Sequence, residues 1–458
     1  MIPMTLAQIA ALTGGRLSDP GAADVLVDGP VVTDSREAGP GSLYVARIGE
    51  HADGHLYTPD AVARGAVAAL VTAPVEQTPS VLVPDVQEAF AALATAVVQA
   101  IPGLLVVGVT GSSGKTSTKD LMAAVLAEHA PTVANVGSLN SEVGVPLTVC
   151  RAAPDTAHLV LEMGARGIGH IRYLTDMTHP RVGVVLNVGS AHVGEFGSRA
   201  AIAAAKGELV EALPAQGLAV LNADDPLVAA MAARTSARVV RTGRRADDAD
   251  IRAADVVLDE QGRAAFTLVT PEGSAPVRLA VLGEHMVDNA LAVAAVAREA
   301  GMAVGPLAAA LGRARLASRW RLERHDRADG VVVLNDAYNA NPDSLAAALR
   351  TLAAMGAGRR TWAVVGEMLE LGPDSAAAHR QCGELAATLG VDEVLAVGAG
   401  AEPVAEGFGS RARRSVDVDA AYHLLSGELR AGDIVLLKSS RDSGLRHLGD
   451  RLVEEEVH

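Results

Sequence analysis

Lysine is almost missing from this sequence. Only four of the 458 residues are lysine, so 35 of the 39 basic residues are arginine. A guanidinium keeps its proton inside a protein, whereas a lysine amine is a compact charge that can lose its proton. We therefore expect the four lysines, Lys115, Lys119, Lys206 and Lys438, to stand chiefly where arginine cannot replace them. The alternative is that codon bias removed lysine and left four at random positions.

Cysteine and long apolar runs are scarce as well. The two cysteines, Cys150 and Cys382, provide no disulfide framework, which indicates a reducing compartment. No basic residue precedes Arg16, so the first residues lack the charged start of a signal peptide. No stretch of roughly eighteen consecutive apolar residues is present to span a membrane. These absences predict a cytoplasmic protein without a membrane span.

An excess of basic residues is also missing. The 39 basic residues stand against 54 acidic ones, which gives a net charge of -15. Proteins that bind nucleic acid need a basic face that displaces counterions from phosphate, so the charge argues against this class. With 49% apolar and 20% charged residues, the composition is that of a globular protein, and the length is enough for several domains.

Short apolar runs alternate with helical stretches along the whole chain, which predicts an α/β protein of three domains. Residues 1–103 predict a small N-terminal α/β domain. Residues 104–316 alternate strand, loop and helix. Together with the glycine-rich segment at 108–116, this pattern predicts a central domain of the P-loop ATPase type. Residues 317–458 predict a C-terminal Rossmann-like domain.

Residues 108–116, GVTGSSGKT, form a glycine-rich segment between a predicted strand and a predicted helix. Val109 occupies the place of the first glycine of the strict P-loop pattern, so the segment is the shorter variant T-G-x-x-G-K-T. Its backbone N–H groups and the helix N-terminus would face phosphates, with Lys115 on the β- and γ-phosphates and the Thr116 hydroxyl on Mg²⁺. The predicted ATP contacts are Thr110, Gly111, Ser112, Ser113, Gly114, Lys115 and Thr116. The alternative is an ordinary Gly/Ser turn, and Lys119, one helical turn later, is expected to be exposed.

Two candidate metal ligands follow predicted parallel strands. Glu162 ends the apolar run HLVLEM, and His192 follows the run RVGVVLNVG. Ligands of parallel sheets collect at the carboxyl ends of the strands, so Glu162 beside the P-loop strand would reach the Mg²⁺ bound to ATP. The alternatives are a carboxylate that caps a turn and a histidine bonded to the backbone.

Lys206 lies on the apolar stripe of a predicted helix. Ile202 stands four residues before it and Val210 four residues after it, and residues at this spacing share one helix face. Burial lowers the pKa of an amine and favours its neutral form, which can add carbon dioxide to give an anionic carbamate that binds metal. The residues alone give equal weight to a lysine that extends from the edge of the stripe to solvent.

Several segments, in order along the chain, resemble the Mur ligases. In the central and C-terminal blocks they are TGSSGKT at 110–116, LEMGARGIGHI at 161–171, NVGSAHVGEFGS at 187–198, AAKGELV at 204–210, LNADDP at 221–226, GEHMVDNALA at 283–292, DAYNANPDS at 336–344, GEMLELG at 366–372 and KSSR at 438–441. DSR at 34–36 and DGH at 53–55 extend the resemblance into the first block. The AYNANP segment resembles the family member that adds D-alanyl-D-alanine.

This resemblance implies an ATP-dependent acid–amino-acid ligase. ATP would phosphorylate the free carboxylate of UDP-N-acetylmuramoyl-tripeptide, and the amine of D-alanyl-D-alanine would then displace phosphate from the acyl phosphate. The implied cofactors are ATP and Mg²⁺ at two sites, together with a carbamate on Lys206. The implied role is the last cytoplasmic step toward the peptidoglycan pentapeptide precursor, carried out by a monomer without nucleic acid.

The resemblance also gives roles to individual residues. Thr116 and Glu162 correspond to ligands of the first Mg²⁺, and His192 together with Glu162 corresponds to ligands of the second. The implied catalytic residues are Lys115, Glu162, His192 and Lys206, the last as the family's carbamylated lysine. The corresponding further nucleotide contacts are Asn289, Arg321, Asp336 and Asn339, and the corresponding contacts to the uridine nucleotide are Ser35, Arg36 and Asp53.

The chain departs from the family pattern at a few positions. Ser439 stands where glycine is usual, and Ser138 and Ser141 stand where asparagines are common, although Asn140 is kept. The D-N-P-R signature of the member that adds the third peptide residue is absent. Two alternatives remain: a paralogue that joins another amino acid or peptide in a specialised pathway, and a P-loop scaffold that binds nucleotide without catalysis.

Overall fold

The computed structural model describes residues 1–49, 52–189 and 193–454. It contains sheets of five, nine and six strands and one further pair of short strands. Helices pack against each of the three large sheets, which confirms the predicted α/β class. In these described residues, no helix combines the length and the apolar character that crossing a lipid bilayer requires.

The first sheet and its helices form a unit that we call the N-terminal domain. In chain order its elements are β1 (Met4–Thr5), α1 (Leu6–Leu12), β2 (Arg16–Leu17), β3 (Leu26–Val27), β4 (Val31–Val32), β5 (Ser42–Val45), α2 (Thr58–Ala63), β6 (Ala66–Val71), β7 (Ser80–Leu82) and α3 (Val86–Ala100). The strands β4, β5, β6 and β7 are parallel neighbours, and β2 lies antiparallel beside β7. Nearly all residues of β6 are buried, as in strands covered on both faces.

The nine-stranded sheet belongs to the middle domain. Its first elements are β8 (Leu105–Thr110), α4 (Lys115–Ala127), β9 (Thr132–Ala134), α5 (Gly144–Val149), β10 (His158–Glu162), α6 (His170–Thr178), β11 (Val182–Val185), α7 (Val193–Phe196), α8 (Arg199–Glu211) and β12 (Leu218–Asn222). The remaining elements are α9 (Pro226–Ala229), β13 (Arg238–Gly243), β14 (Ile251–Leu258), β15 (Arg263–Thr270), β16 (Gly273–Leu282), α10 (Met286–Glu299) and α11 (Val304–Arg313).

The order of this sheet places the glycine-rich segment at its centre. The strands run β16-β15-β14-β13-β12-β11-β8-β10-β9, and those from β14 to β9 are parallel. Successive side chains of a strand face opposite sides, so Val107 and Val109 of β8 pack with α4, α10 and α11, while Val106 packs on the other side with α6 and α8. The chain leaves β8 toward one edge and returns past it to β11, which creates a crevice at the carboxyl end of β8.

The six-stranded sheet forms the C-terminal domain. Its elements are β17 (Glu323–Asp326), β18 (Val332–Asn335), α12 (Pro342–Met355), β19 (Thr361–Val365), α13 (Ser375–Thr388), β20 (Glu393–Val397), α14 (Glu402–Phe408), β21 (Arg413–Ser415), α15 (Val418–Glu428), β22 (Ile434–Lys438) and α16 (Leu445–Glu454). Five parallel strands, in the order β18-β22-β19-β20-β21, have helices on both faces, and β17 adds an antiparallel edge. We propose domain boundaries at 103/104 and 316/317, which fall between α3 and β8 and between α11 and β17.

The N-terminal and middle domains share one continuous hydrophobic core. Phe90 of α3 belongs to the same cluster of buried residues as Val145 of α5 and Leu174 of α6. A hydrogen bond from the Thr95 hydroxyl of α3 to the Met177 carbonyl, 3.0 Å long, also crosses this interface. Apolar packing along α3 therefore holds the two domains together.

Lys119 is buried, so the expectation that it is exposed is wrong. Its residue is 1% exposed, and its amine pairs with Asp120 and donates to the Asn135 carbonyl at 2.7 Å. The second oxygen of Asp120 accepts the Ser318 N–H at 2.8 Å. The segment that leads to the C-terminal domain thus covers this face of α4, which the helical pattern of α4 alone does not reveal.

The buried pair yields a stability prediction. Asp120→Ala leaves the Lys119 charge without its partner in the interior, so we expect a loss of about 3–5 kcal/mol in the free energy of unfolding. Glu272→Ala, which breaks the pair with Arg298 in the same domain, should cost much less because the Glu272 side chain is 61% exposed and solvent screens the pair. Urea denaturation of both variants measures the difference. Equal losses would contradict a special cost at Lys119.

Candidate functional site

A cavity of about 740 Å³ lies between the middle and C-terminal domains at the carboxyl end of β8. Its walls include most of the predicted site. From the middle domain the predicted residues are Ser112, Ser113, Gly114, Lys115, Thr116, Glu162, Lys206 and Asn289, and from the C-terminal side they are Arg321, Asp336 and Asn339. Thr110 and Gly111 do not line it; the buried Thr110 hydroxyl instead donates to the Met163 carbonyl at 3.0 Å.

The glycine-rich segment connects β8 to the N-terminus of α4, as the sequence predicts. Gly114, directly before α4, has a φ of 79°, a left-handed conformation that favours glycine. A Cβ at this position would also lie 3.0 Å from the Asn289 Oδ1 of α10. The positive φ together with this close contact favours glycine at position 114, and Asn289 lies directly against the loop.

Asn187, which sequence reasoning missed, fixes the shape of the loop. Its Oδ1 accepts the backbone N–H groups of Ser112 at 3.0 Å and Ser113 at 2.9 Å, and its Nδ2 donates to the Ser113 carbonyl at 3.1 Å. Asn187 follows β11, the strand beside β8. Its position in the segment NVG, at the end of an apolar run, was the sequence signal that could have identified Asn187.

Lys115 and Thr116 stand at the first turn of α4. The Lys115 amine folds back and donates to the Gly111 carbonyl at 2.7 Å. Burial lowers the pKa of this amine, and the nearby charge of Glu162 opposes that effect. The Thr116 hydroxyl accepts a hydrogen bond from the Arg321 guanidinium at 3.1 Å, so one lone pair faces the C-terminal domain.

Glu162 ends β10 beside the P-loop strand, where the sequence predicts it. Its residue pairs in register with Val109 of β8. Its Oε1 accepts hydrogen bonds from Asn140 at 2.6 Å and Ser138 at 3.1 Å. Its Oε2 is buried without a hydrogen-bond partner among the described residues. A buried carboxylate oxygen without a partner is costly, and a cation in the cavity would satisfy it.

Lys206 of α8 lies in the wall of the same cavity and is 3% exposed. Burial first, and the charge of Lys115 second, lower the pKa of this amine well below its usual value. This favours the neutral amine over a lysine that extends to solvent. Within the part of the chain that the structure describes, no group of three His, Cys, Asp or Glu side chains forms a metal site. His192 lies outside the described residues, and of the other predicted donors only Glu162 is of these residue types, the remaining two being the Thr116 hydroxyl and a carbamate on Lys206.

Arg321 reaches the P-loop from a strained segment between the domains. The residues on either side of it, Trp320 and Leu322, have positive φ values of 59° and 52°. Such conformations cost of order 1–3 kcal/mol each and persist where surrounding contacts hold them. The Leu322 N–H donates to Asp336 Oδ1 at 3.1 Å, and the Tyr338 ring lies 4.3 Å from the Arg321 guanidinium carbon. These contacts aim Arg321 at Thr116.

Asp336 and Asn339 are joined by Lys438. The Lys438 amine lies 2.7 Å from Asp336 Oδ2 and donates to the Asn339 carbonyl at 3.0 Å. Burial lowers the pKa of this amine, and the charge of Asp336 opposes that effect. Ser439, which replaces the usual glycine, is fully buried next to Lys438. The ion pair of Lys438 and Asp336 is therefore held in place within the C-terminal wall of the cavity.

The residues predicted to hold the uridine nucleotide lie in the N-terminal domain, apart from this cavity. The Ser35 hydroxyl donates to Asp60 at 2.7 Å, and Asp53 accepts the His55 N–H at 3.0 Å. Arg36 is largely exposed and pairs with Asp34, whose pKa its hydrogen bonds lower to about 2. The turns at Ser35–Glu37 and Gly54–Tyr57 both pack against α2, so the three predicted residues share one region of that domain.

Comparison with known proteins covers the whole length of the chain. The Mur ligase family catalytic domain matches residues 30–107, the Mur ligase middle domain residues 109–297, and the Mur ligase glutamate ligase domain residues 320–441. The UDP-N-acetylmuramoyl-tripeptide–D-alanyl-D-alanine ligase of Mycobacterium tuberculosis is 46% identical over 506 aligned residues, which cover 100% of this chain and 99% of that protein.

Solved structures agree with this comparison. MurF from Acinetobacter baumannii superposes with a TM-score of 0.90 at 31% identity, covering 99% of both chains. The MurF ligase from Thermotoga maritima, solved in complex with ADP, has a TM-score of 0.83 at 28% identity, covering 94% of this chain and 98% of that one. Sequence and fold agree over the full chain, which therefore belongs to the Mur ligase family.

Proposed function

We propose that this chain is an ATP-dependent ligase that adds D-alanyl-D-alanine to UDP-N-acetylmuramoyl-tripeptide in peptidoglycan synthesis. The observation that carries the proposal is the convergence of Lys115, Thr116, Glu162 and Lys206 on one cavity that the C-terminal domain closes from the other side. Full-length relatives with this activity in their names support it. A scaffold that only binds nucleotide needs no buried lysine such as Lys206, whose pKa burial lowers, in the wall of the same cavity.

The middle domain would bind the phosphates of ATP. Residues 112–116 line the cavity at the positive end of α4, with the N–H groups of Ser112 and Ser113 bonded to Asn187, and Lys115 would add a compact charge close to the transferring phosphoryl group. We propose Asn289, which lies against Gly114, as a contact of the nucleotide. From the opposite wall, Arg321 would place its guanidinium on charge that develops during transfer.

Thr116 and Glu162 would hold a first Mg²⁺, and Glu162 with His192 would hold a second. The free Oε2 of Glu162 fits this role because it is buried, unsatisfied among the described residues and directed to hard cations by its chemistry. When bound, Mg²⁺ would supply positive charge to the phosphoryl oxygens. The neutral Lys206 amine would add carbon dioxide and release one proton, and the resulting carbamate would provide a further anionic ligand.

Two bond-forming steps complete the reaction. The terminal carboxylate of the tripeptide attacks the γ-phosphorus of ATP, the bond to ADP breaks, and an acyl phosphate forms. The neutral amine of D-alanyl-D-alanine then attacks the acyl carbon, phosphate leaves, and the amine loses a proton. Tripeptide and dipeptide must meet beside the γ-phosphate, which the cavity between the two domains allows.

The N-terminal domain would hold the uridine nucleotide, with Ser35, Arg36 and Asp53 as the proposed contacts. Arg36 supplies an exposed guanidinium, which suits a diphosphate. Because ATP and the nucleotide-linked precursor are cytoplasmic metabolites, we infer that the enzyme works in the cytoplasm. The site is built from one chain, so a monomer suffices for catalysis.

Phosphate release tests the proposed function. We expect release that requires both UDP-N-acetylmuramoyl-tripeptide and D-alanyl-D-alanine, with a rate at least about 100-fold lower when D-alanine replaces the dipeptide. A coupled phosphate assay that crosses UDP-muramoyl peptides with single amino acids and dipeptides measures this. Turnover with a single amino acid and none with the dipeptide would favour the paralogue instead.

A further inference from the structure

A set of hydrogen bonds, joined through the backbone of one loop, connects the N-terminal domain to Glu162 in the middle domain. It begins at Arg47, which follows β5, whose Nε donates to the Gln87 Oε1 at 3.1 Å. The Gln87 Nε2 in turn donates to the Glu142 carbonyl in the middle domain at 2.7 Å. The Gln87 amide therefore accepts a hydrogen bond from the N-terminal domain through its oxygen and donates one to the middle domain through its nitrogen.

Glu142 belongs to the loop that holds the carboxylate of Glu162. This loop, residues 138–142, leads into α5. Its Ser138 and Asn140 side chains both donate to Glu162 Oε1. The Asn140 carbonyl also accepts the Gly164 N–H at 2.9 Å, on the far side of Glu162. A shift of this loop would turn the carboxylate and its free Oε2.

The other end of the set lies against the turn that carries Asp53. The Gly54 N–H donates to the Arg47 carbonyl at 2.8 Å, and a Cβ on Gly54 would lie 2.5 Å from that carbonyl oxygen. The turn and Arg47 are therefore in direct contact and must move together. Asp53 is a proposed contact of the uridine nucleotide, so binding there acts on Arg47.

Adhesion between the domains does not account for Gln87. The apolar face of α3, which packs against α5 and α6, and the Thr95 hydrogen bond to α6 already hold the interface. Gln87 instead stands in the first turn of α3, where the Asp85 side chain fixes its backbone N–H at 2.7 Å. Its side chain reaches the loop 138–142, whose Ser138 and Asn140 hold the Glu162 carboxylate, and it also lies close to the Tyr173 hydroxyl of α6.

We propose that Gln87 is a positioning residue that couples occupancy of the N-terminal domain to the orientation of Glu162. Binding of the UDP-linked tripeptide fixes Arg47, Gln87 holds loop 138–142, and the loop sets the carboxylate that receives Mg²⁺. This inference rests on the proposed function. By thermodynamic linkage, nucleotide with Mg²⁺ must then strengthen binding of the UDP-linked tripeptide by a certain factor. The UDP-linked tripeptide must strengthen binding of nucleotide with Mg²⁺ by the same factor.

Calorimetric titration of the full chain tests this coupling without turnover. The affinity for UDP-N-acetylmuramoyl-tripeptide is measured with and without a non-hydrolysable ATP analogue and Mg²⁺. We expect an increase of about tenfold in the parent protein, within the usual range for coupled sites, and its loss when EDTA replaces Mg²⁺. Gln87→Glu keeps the acceptor for Arg47 but sets an oxygen against the Glu142 carbonyl, so its increase should fall to about twofold or less.

Thr95→Val is the matched control, because it removes another interdomain hydrogen bond of α3 that does not contact the loop. It should keep the full increase while its melting temperature changes as much as that of Gln87→Glu. Gln87→Leu, which removes both hydrogen bonds of the amide, should lose the coupling as Gln87→Glu does.

A parent protein that binds neither ligand would refute the proposed function itself. A parent protein that binds both ligands without coupling, or a Gln87→Glu variant that couples as the parent does, would overturn the role of Gln87 and leave the proposed function standing.

Discussion

Lys206→Arg should fold normally, and its kcat should be at least about 100-fold lower than that of the parent. Removing one electrostatic contact from an active site has an effect of this size. The guanidinium cannot become a carbamate, and it would place a permanent positive charge beside Lys115 and the proposed Mg²⁺ sites. Burial has already lowered the pKa of the Lys206 amine well below its usual value, so the native side chain is suited to the neutral form. Steady-state phosphate release gives the rate, and circular dichroism checks the fold.

Chemical rescue distinguishes the carbamate from a general loss of packing. Lys206→Ala should be as inactive as Lys206→Arg but should recover part of its activity when a short carboxylic acid is added in place of the carbamate. Removal of bicarbonate should weaken the parent enzyme and leave Lys206→Ala unaffected. Near-normal turnover by Lys206→Arg would refute the carbamate.

Glu162→Gln should also reduce kcat by at least about 100-fold, because it removes the negative charge that we propose binds Mg²⁺. The substitution keeps the size of the side chain and one oxygen for the Ser138 and Asn140 donors. It replaces the unpartnered Oε2 by an N–H donor, which cannot bind a cation. A rate measurement across a range of Mg²⁺ concentrations should show a raised Mg²⁺ requirement together with the lower kcat.

Ser138→Ala is the control for this experiment. It removes one hydrogen bond to Glu162 but leaves the carboxylate charge, so we expect a loss of less than about tenfold in kcat. If Glu162→Gln and Ser138→Ala had the same small effect, the carboxylate would serve only to hold the loop. The role of Glu162 as a metal ligand would then be wrong.

Much of the candidate site was open to prediction from the sequence. The loop at 110–116 and the strand-end carboxylate Glu162 follow from patterns within a few residues of each side chain, whereas the apolar stripe around Lys206 left its burial open. The structure places the loop between β8 and α4, Glu162 beside it, and Lys206 in the same cavity. The scarcity of lysine was informative too, since Lys119, Lys206 and Lys438 are each at most 3% exposed.

Other features depended on contacts between distant parts of the chain. Whether a helical residue is buried depends on what covers the helix, and the element that covers Lys119 includes Ser318, which bonds to Asp120 across 198 positions. The role of Asn187 requires the alignment of β11 beside β8, which the periodicity of either strand does not specify. The hydrogen bonds of Gln87 join two domains that pack along α3.

The sequence by itself determined the α/β class, the glycine-rich loop before α4 and the residue types proposed to carry the chemistry, because these depend on local periodicity and on neighbouring residues. Only the tertiary structure decided how the chemistry is assembled. Arg321 meets Thr116 across 205 positions and from a backbone strained on both sides, an arrangement that local preference opposes and that contacts with Asp336 and Tyr338 maintain. The physical reason is that such contacts are stable only when domains far apart in sequence pack together, and their free energy is absent from any single segment.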